Sequence, residues 1–122
     1  MTKTVEELME ATLSVFAERN DAKRRALIAD TYSEDVAFTD ADGTVNGRDE
    51  LNSKVGGLLD GVPDAQFRAR GPLRVSAELG YLPWSFGPEG AQPFATGMDI
   101  GIVENGVITR LHTFLEEGPA AS

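Results

Sequence analysis

The strongest constraint on this chain is a change of period near Ala65. Upstream of it, apolar residues recur at helical spacing in three segments. Downstream the helical period is gone, and the chain reads as strands broken by Gly71-Pro72, Gly87-Pro88, Gly90 and the hairpin pair Asn105-Gly106. Helices first and strands last, instead of alternating, predict an α+β layer fold in which one face of a sheet packs on helices. At 122 residues the chain reads as a single domain over 1–122, with room for one core and one cavity.

Each segment carries its own punctuation. Thr4 stands three residues before Glu7, the capping-box spacing, and Val5, Leu8, Met9, Thr12, Leu13 and Phe16 follow at helical intervals, predicting a first helix that ends by Asn20. Asp21 is the expected cap of a second helix from Ala22 to Thr31, with Leu27, Ile28 and Tyr32 turned inward and Lys23, Arg24 and Arg25 in water. Ser33-Glu34-Asp35 predicts a turn, and Val36 to Asp40 a short strand ending in the loop Ala41-Asp42-Gly43. Arg48-Asp49-Glu50 opens a third helix whose Leu51, Val55, Leu58 and Leu59 share one side, closed by Gly61 and Pro63. Gly56-Gly57 inside it either weakens the helix or admits a close neighbour. Four mostly antiparallel strands are expected after Ala65, and the tail from Gly118 to Ser122 is expected to fray.

Composition narrows the chemistry. Without cysteine there is no thiolate nucleophile or disulfide, and the lone His112 offers no histidine cluster, so no metal is expected. A formal charge of −9 repels a phosphate backbone, and the densest basic run, Lys23-Arg24-Arg25, has no aromatics interleaved, so nucleic acid is not an expected partner. No stretch approaches the roughly 20 apolar residues of a membrane helix. Met1-Thr-Lys-Thr leads straight into a polar helix without a signal-peptide apolar region, so a cytoplasmic chain is expected.

The run Tyr32-Ser-Glu-Asp-Val-Ala-Phe-Thr-Asp-Ala-Asp-Gly-Thr-Val-Asn-Gly-Arg-Asp, followed by Thr96-Gly-Met-Asp-Ile-Gly-Ile-Val-Glu-Asn-Gly and Leu111-His-Thr-Phe-Leu, resembles SnoaL-like polyketide cyclases and bacterial ketosteroid isomerases of the nuclear-transport-factor-2-like (NTF2-like) superfamily. Gly71-Pro72-Leu73-Arg74 and Gly80-Tyr81-Leu82-Pro83-Trp84 look like the same pattern. The resemblance implies a cone-shaped, cystatin-like α+β fold, with three N-terminal helices packed on a curved, mostly antiparallel sheet that encloses one pocket. It also implies a cofactor-independent isomerase or aldol-type cyclase that moves a proton next to a carbonyl. Asp40 would be the general base, Asp99 the acid that donates to the enolate oxygen, and Tyr32 part of a supporting tyrosine network. Phe16, Phe38, Leu59, Trp84, Phe86, Leu111, Thr113 and Leu115 would line the pocket around a small hydrophobic carbonyl compound, and two copies would pair through the outer sheet face. Where the isomerases carry the tyrosine that donates the main oxyanion hydrogen bond, this chain has Phe16. That departure keeps a second reading open: a non-catalytic binding or association protein holding a hydrophobic ligand in the same pocket.

The residues themselves leave some choices open. Asp99 shares its strand face with the small residues Ala95, Gly97 and Gly101 and with Val103, opposite the apolar Met98, Ile100 and Ile102. Period alone fits a carboxyl facing a cavity or one facing water. Asp40 lies in Thr39-Asp-Ala-Asp-Gly-Thr, which also suits plain turn chemistry, and Asp35, Asp40 and Asp42 lack the spacing of a calcium loop. Strand parity turns His112 away from Leu111 and Thr113, and Arg48 at the head of the third helix reads as a surface residue.

Overall fold

Thr4 caps the first helix as its spacing to Glu7 predicts: the Thr4 hydroxyl accepts the Glu7 N–H, and the Glu7 carboxylate accepts the Thr4 N–H. This computed structural model describes residues 3–116, so the expectation for Gly118 to Ser122 lies outside the described residues. The order of elements is α1 (Val5–Ala17), α2 (Asp21–Thr31), β1 (Tyr32–Asp40), β2 (Gly43–Asn46), α3 (Arg48–Asp60), β3 (Ala65–Ala69), β4 (Arg74–Ser76), β5 (Leu79–Pro88), β6 (Ala95–Glu104) and β7 (Val107–Leu115). Helices precede most of the strands, as the change of period predicts.

The strands form one seven-stranded sheet in the order β2-β1-β7-β6-β5-β3, with β4 beside β5. Only the β1–β7 pair is parallel; the other pairs are antiparallel. Asn105 and Gly106 both have positive φ, 53° and 81°, the backbone that a tight β6–β7 hairpin requires. Five strands follow Ala65 where four were expected, because Arg74–Ser76 pairs briefly with β5, and the short β2 after Gly43 was not anticipated at all.

α1 lies close on the sheet because two glycines face each other beneath it. Gly80 and Gly101 are register partners across β5 and β6, and a Cβ on either would run into the Met9 side chain. That close approach carries Thr12 and Phe16 of α1 over the sheet's concave face. Leu8, Met9, Val15, Ile28, Tyr32, Val36, Leu51, Val55, Leu59, Ile108 and Leu111 fill the core between the helices and the sheet, each at most 1% exposed.

Four local expectations are corrected. Asn20, not Asp21, caps α2, its side chain accepting the Lys23 N–H. Asp21 is the first helical residue and instead binds Arg24, Arg25 and Asn52. Arg24 is buried rather than in water: its guanidinium donates to the Asn52 side chain, the Glu18 carbonyl and Asp21, so its donors are satisfied inside the structure. The space for it comes from Gly56, where a Cβ would stand 2.8 Å from Arg24 Nη2; close packing is thus the use of that glycine.

The expected turn at Ser33-Glu34-Asp35 is part of β1. From Tyr32 to Ala37 the strand spends five residues while β7 advances from Ile108 to Arg110, so the surplus is absorbed as a bulge rather than a chain reversal. Leu58 leaves the inward stripe of Leu51, Val55 and Leu59 and is 42% exposed, because the buried face of α3 follows i, i+4 spacing. Arg48 donates to the Tyr32 and Ala29 carbonyls, tying the head of α3 to the end of α2.

Candidate active site

Between α1, α3 and the concave face of the sheet lies a cavity of about 240 Å³. Its floor is made by residues that are themselves buried: Thr12 and Phe16 from α1, Phe38 from β1, Trp84 and Phe86 from β5, and Asp99 from β6. Asp40, Asp42, Lys54, Leu58 and Leu115 also line it but are partly or well exposed, which marks them as its mouth. Phe67 of β3 locks the aromatic wall, with its ring centroid 5.4 Å from Phe16, 5.2 Å from Trp84 and 4.2 Å from Phe86.

Asp99 is the one ionisable group on the floor, and it is 5% exposed. Its Oδ1 accepts two hydrogen bonds, from Trp84 Nε1 at 2.9 Å and from Thr113 Oγ1 at 2.6 Å. Its Oδ2 has no hydrogen-bond partner among the described residues, and no cation pairs with it there. Burial pushes the carboxyl up to about 6, against the opposing pull of the Thr113 and Trp84 donors. The two donors orient the carboxyl and leave Oδ2 as its oxygen without a protein donor.

The alternation of β6 produces this setting. Gly97, Asp99, Gly101 and Val103 are buried on the inner face, while Met98, Ile100 and Ile102 alternate with them on the outer one. Trp84 and Thr113 reach Asp99 from the two flanking strands: Asp99 is the register partner of Leu82 on β5 and of Thr113 on β7.

At the mouth, Asp40 ends β1 and is 19% exposed. Its Oδ2 meets Lys54 Nζ at 3.0 Å, and its Oδ1 accepts the Asp42 N–H at 2.9 Å. The turn chemistry open from the sequence is therefore present, alongside a place on the cavity wall. Lys54 also reaches Asp42 at 3.2 Å, and its pKa is raised, chiefly by its bond to Asp40.

Of the residues expected in the wall, Phe16, Phe38, Trp84, Phe86, Thr113 and Leu115 line the cavity. Leu59 and Leu111 do not; both are packed in the core behind it. Tyr32 does not reach the cavity either. Its hydroxyl donates to Thr12 Oγ1 at 2.9 Å, Thr12 in turn donates to the Leu8 carbonyl, and burial raises the phenol's pKa. Tyr32 thereby holds Thr12, a wall residue, from behind. His112 is absent from the lining, as strand parity predicts. Lys54 was missed. Its signal was the helical spacing Lys54–Leu58, a pair on the stripe beside Leu51 and Val55, opposite an aspartate-rich turn. Among the described residues no three His, Asp or Glu side chains converge as a metal site. None of the described helices is long and apolar enough to cross a membrane.

No family model matches the chain, and no curated protein matches it. Solved structures do. A presumptive isomerase of the SnoaL-like family from Agrobacterium tumefaciens superposes with a TM-score of 0.85 at 17% identity, over 91% of this chain and 96% of its own. A presumptive ketosteroid isomerase from Kribbella flavida gives 0.72 at 15% identity, over 96% and 81%. A presumptive SnoaL-like polyketide cyclase from Jannaschia gives 0.71 at 14%, over 95% and 91%. At these identities the likeness establishes the fold: three helices on a curved, mixed, open sheet, the NTF2-like cone that the sequence resemblance implies.

Proposed function

We propose that the protein is a cofactor-independent enzyme that moves a proton on the carbon next to a carbonyl of a small apolar molecule, an isomerase or aldol-type cyclase, with Asp99 as the proton carrier. One observation carries this reading: a buried carboxyl with both fixed donors on Oδ1, Oδ2 free, on the floor of an aromatic cavity. A base whose pKa lies near neutrality can take a carbon-bound proton and, once protonated, return it. With Asp99 near 6, both forms are accessible at working pH. After abstraction the new Oδ2–H is positioned to donate to the enolate, a part for which Phe16 offers no hydroxyl.

This shifts the base role from Asp40, as the resemblance implied it, to Asp99. Asp40 is ion-paired with Lys54 at the partly exposed mouth, whereas Asp99 lies buried on the floor with Oδ2 free. The non-catalytic reading is favoured by one fact: the Trp84 and Thr113 donors at Asp99 are spent on Asp99 itself, leaving none of their protons for a ligand oxygen.

The test needs no knowledge of the natural substrate. Incubated in deuterium oxide with α-tetralone, a two-ring ketone, the protein is expected to speed exchange of the α-protons, followed by proton NMR. Asp99→Asn should slow that exchange about a hundred- to ten-thousand-fold, the range for loss of a general base. Binding of the ketone without any exchange above buffer would establish the non-catalytic reading instead. The homodimer belongs to the same proposal, through the outer face where Met98, Ile100 and Phe114 neighbour one another in register. Sedimentation at the mass of one chain would refute it.

A further inference from the structure

The cavity floor and mouth differ in chemistry, and the difference specifies a ligand. By proportion to a 150 Å³ apolar cavity that holds benzene, 240 Å³ accommodates about ten non-hydrogen atoms. One or two rings fit inside it. The floor is aromatic around a single carboxyl, so one end of the ligand meets Asp99. The mouth is polar where Lys54 Nζ lies against Asp40 and Asp42, and apolar at Leu58 and Leu115.

Lys54 has three N–H donors and spends two on these carboxylates, so the third is available to an acceptor in the cavity. Asp40 Oδ2 can accept in return from a ligand hydroxyl. Two carboxylates against one ammonium leave one negative charge at the mouth, and the whole chain carries −9, so an anionic ligand is repelled. Stability does not explain the arrangement, since partly exposed ion pairs contribute little.

We infer that the ligand is a neutral one- or two-ring compound oxygenated at both ends, its carbonyl end buried at Asp99 and its second hydroxyl or carbonyl held at the mouth by Lys54 and Asp40. The inference rests on the proton-transfer reading for the orientation of the buried end. It makes Lys54 a specificity residue and excludes carboxylated and phosphorylated ligands.

Calorimetry with three probes tests it: α-tetralone, α-tetralone with a hydroxyl on the aromatic ring, and the same ketone with a carboxylate in place of the hydroxyl. The hydroxylated probe should bind about tenfold more tightly than the parent, the worth of one charge-assisted hydrogen bond. The carboxylated probe should bind at least tenfold more weakly than the hydroxylated one. Lys54→Met and, separately, Asp40→Asn should bring the ratio of hydroxylated to parent affinity close to one. An unchanged ratio in both variants, no hydroxyl gain in the parent protein, or tight binding of the carboxylate overturns the inference. Its failure is separable from that of the proton-transfer reading: a hydroxyl gain that depends on Lys54, with no α-proton exchange in either ketone, leaves the mouth site standing and removes the catalytic role.

Discussion

Replacing Asp99 with asparagine should make the protein more stable at neutral and alkaline pH, even as it removes the proposed proton carrier. In the folded chain burial raises the Asp99 pKa from 3.8 to about 6. A carboxyl whose folded pKa lies above its unfolded one favours the folded state only while it is protonated. Its penalty is absent below the unfolded value, grows as pH rises between the two, and is complete above the folded value. A shift of about two units corresponds to about 3 kcal/mol at pH 8. Asparagine is isosteric, stays neutral, and can keep its oxygen toward the Trp84 and Thr113 donors with its amide toward the cavity. Asp99→Asn should therefore gain about 3 kcal/mol in urea unfolding at pH 8, of the order of 10 °C in midpoint temperature. The gain should shrink to near zero at pH 4, where the native carboxyl is protonated. Equal or lower stability of the variant at pH 8 would refute the reasoning, because it would mean that the charged carboxylate is well solvated or paired.

Two further substitutions probe the same frame. Thr113→Val keeps the β-branched shape and deletes the 2.6 Å bond that favours the charged form, so the Asp99 pKa should rise by about one to two units. The acidic limb of the α-proton exchange profile should move with it, and an unmoved limb would show that Thr113 does not tune the acid. Gly97→Ala places a methyl against the Phe114 carbonyl and the Trp84 ring, with no room on either side. It should cost about 1–3 kcal/mol in unfolding and disturb the Trp84–Asp99 bond, whereas a neutral outcome would mean that β6 and β7 can separate freely there.

The fold was legible because its signals are local and redundant. The Thr4–Glu7 box, the apolar stripe of α1 and the Asn105-Gly106 turn each specify an element without help from the rest of the chain. The bulge in β1 was not, because it arises from pairing with β7, some seventy positions along the sequence, and leaves only a turn-like composition at Ser33-Glu34-Asp35. The burial of Arg24 was hidden for a related reason: a basic run reads as a solvated face until Asn52 and Gly56 of another helix supply its partner and its space.

The site divides in the same way. The alternation of β6 put Asp99 on one of two faces, and three-dimensional packing decided between them. That Trp84 and Thr113 both take Oδ1 follows from the β5–β6–β7 register, which no single segment contains. Tyr32 sits where the resemblance placed it in the sequence, yet it stops one residue short of the cavity, behind Thr12. Lys54 answers Asp40 only once α3 is laid beside the end of β1.

The central claim is that Asp99 is a buried carboxyl, without a paired cation among the described residues, whose proton is exchangeable near neutrality. Carbon-13 NMR titration of the aspartate carboxyls in the unliganded protein, with the Asp99 signal identified by its loss in Asp99→Asn, tests it without any substrate. The account predicts a midpoint at about 6. A midpoint near the unperturbed value of about 3.9 would contradict it, placing that carboxyl in water and leaving the cavity without a proton carrier.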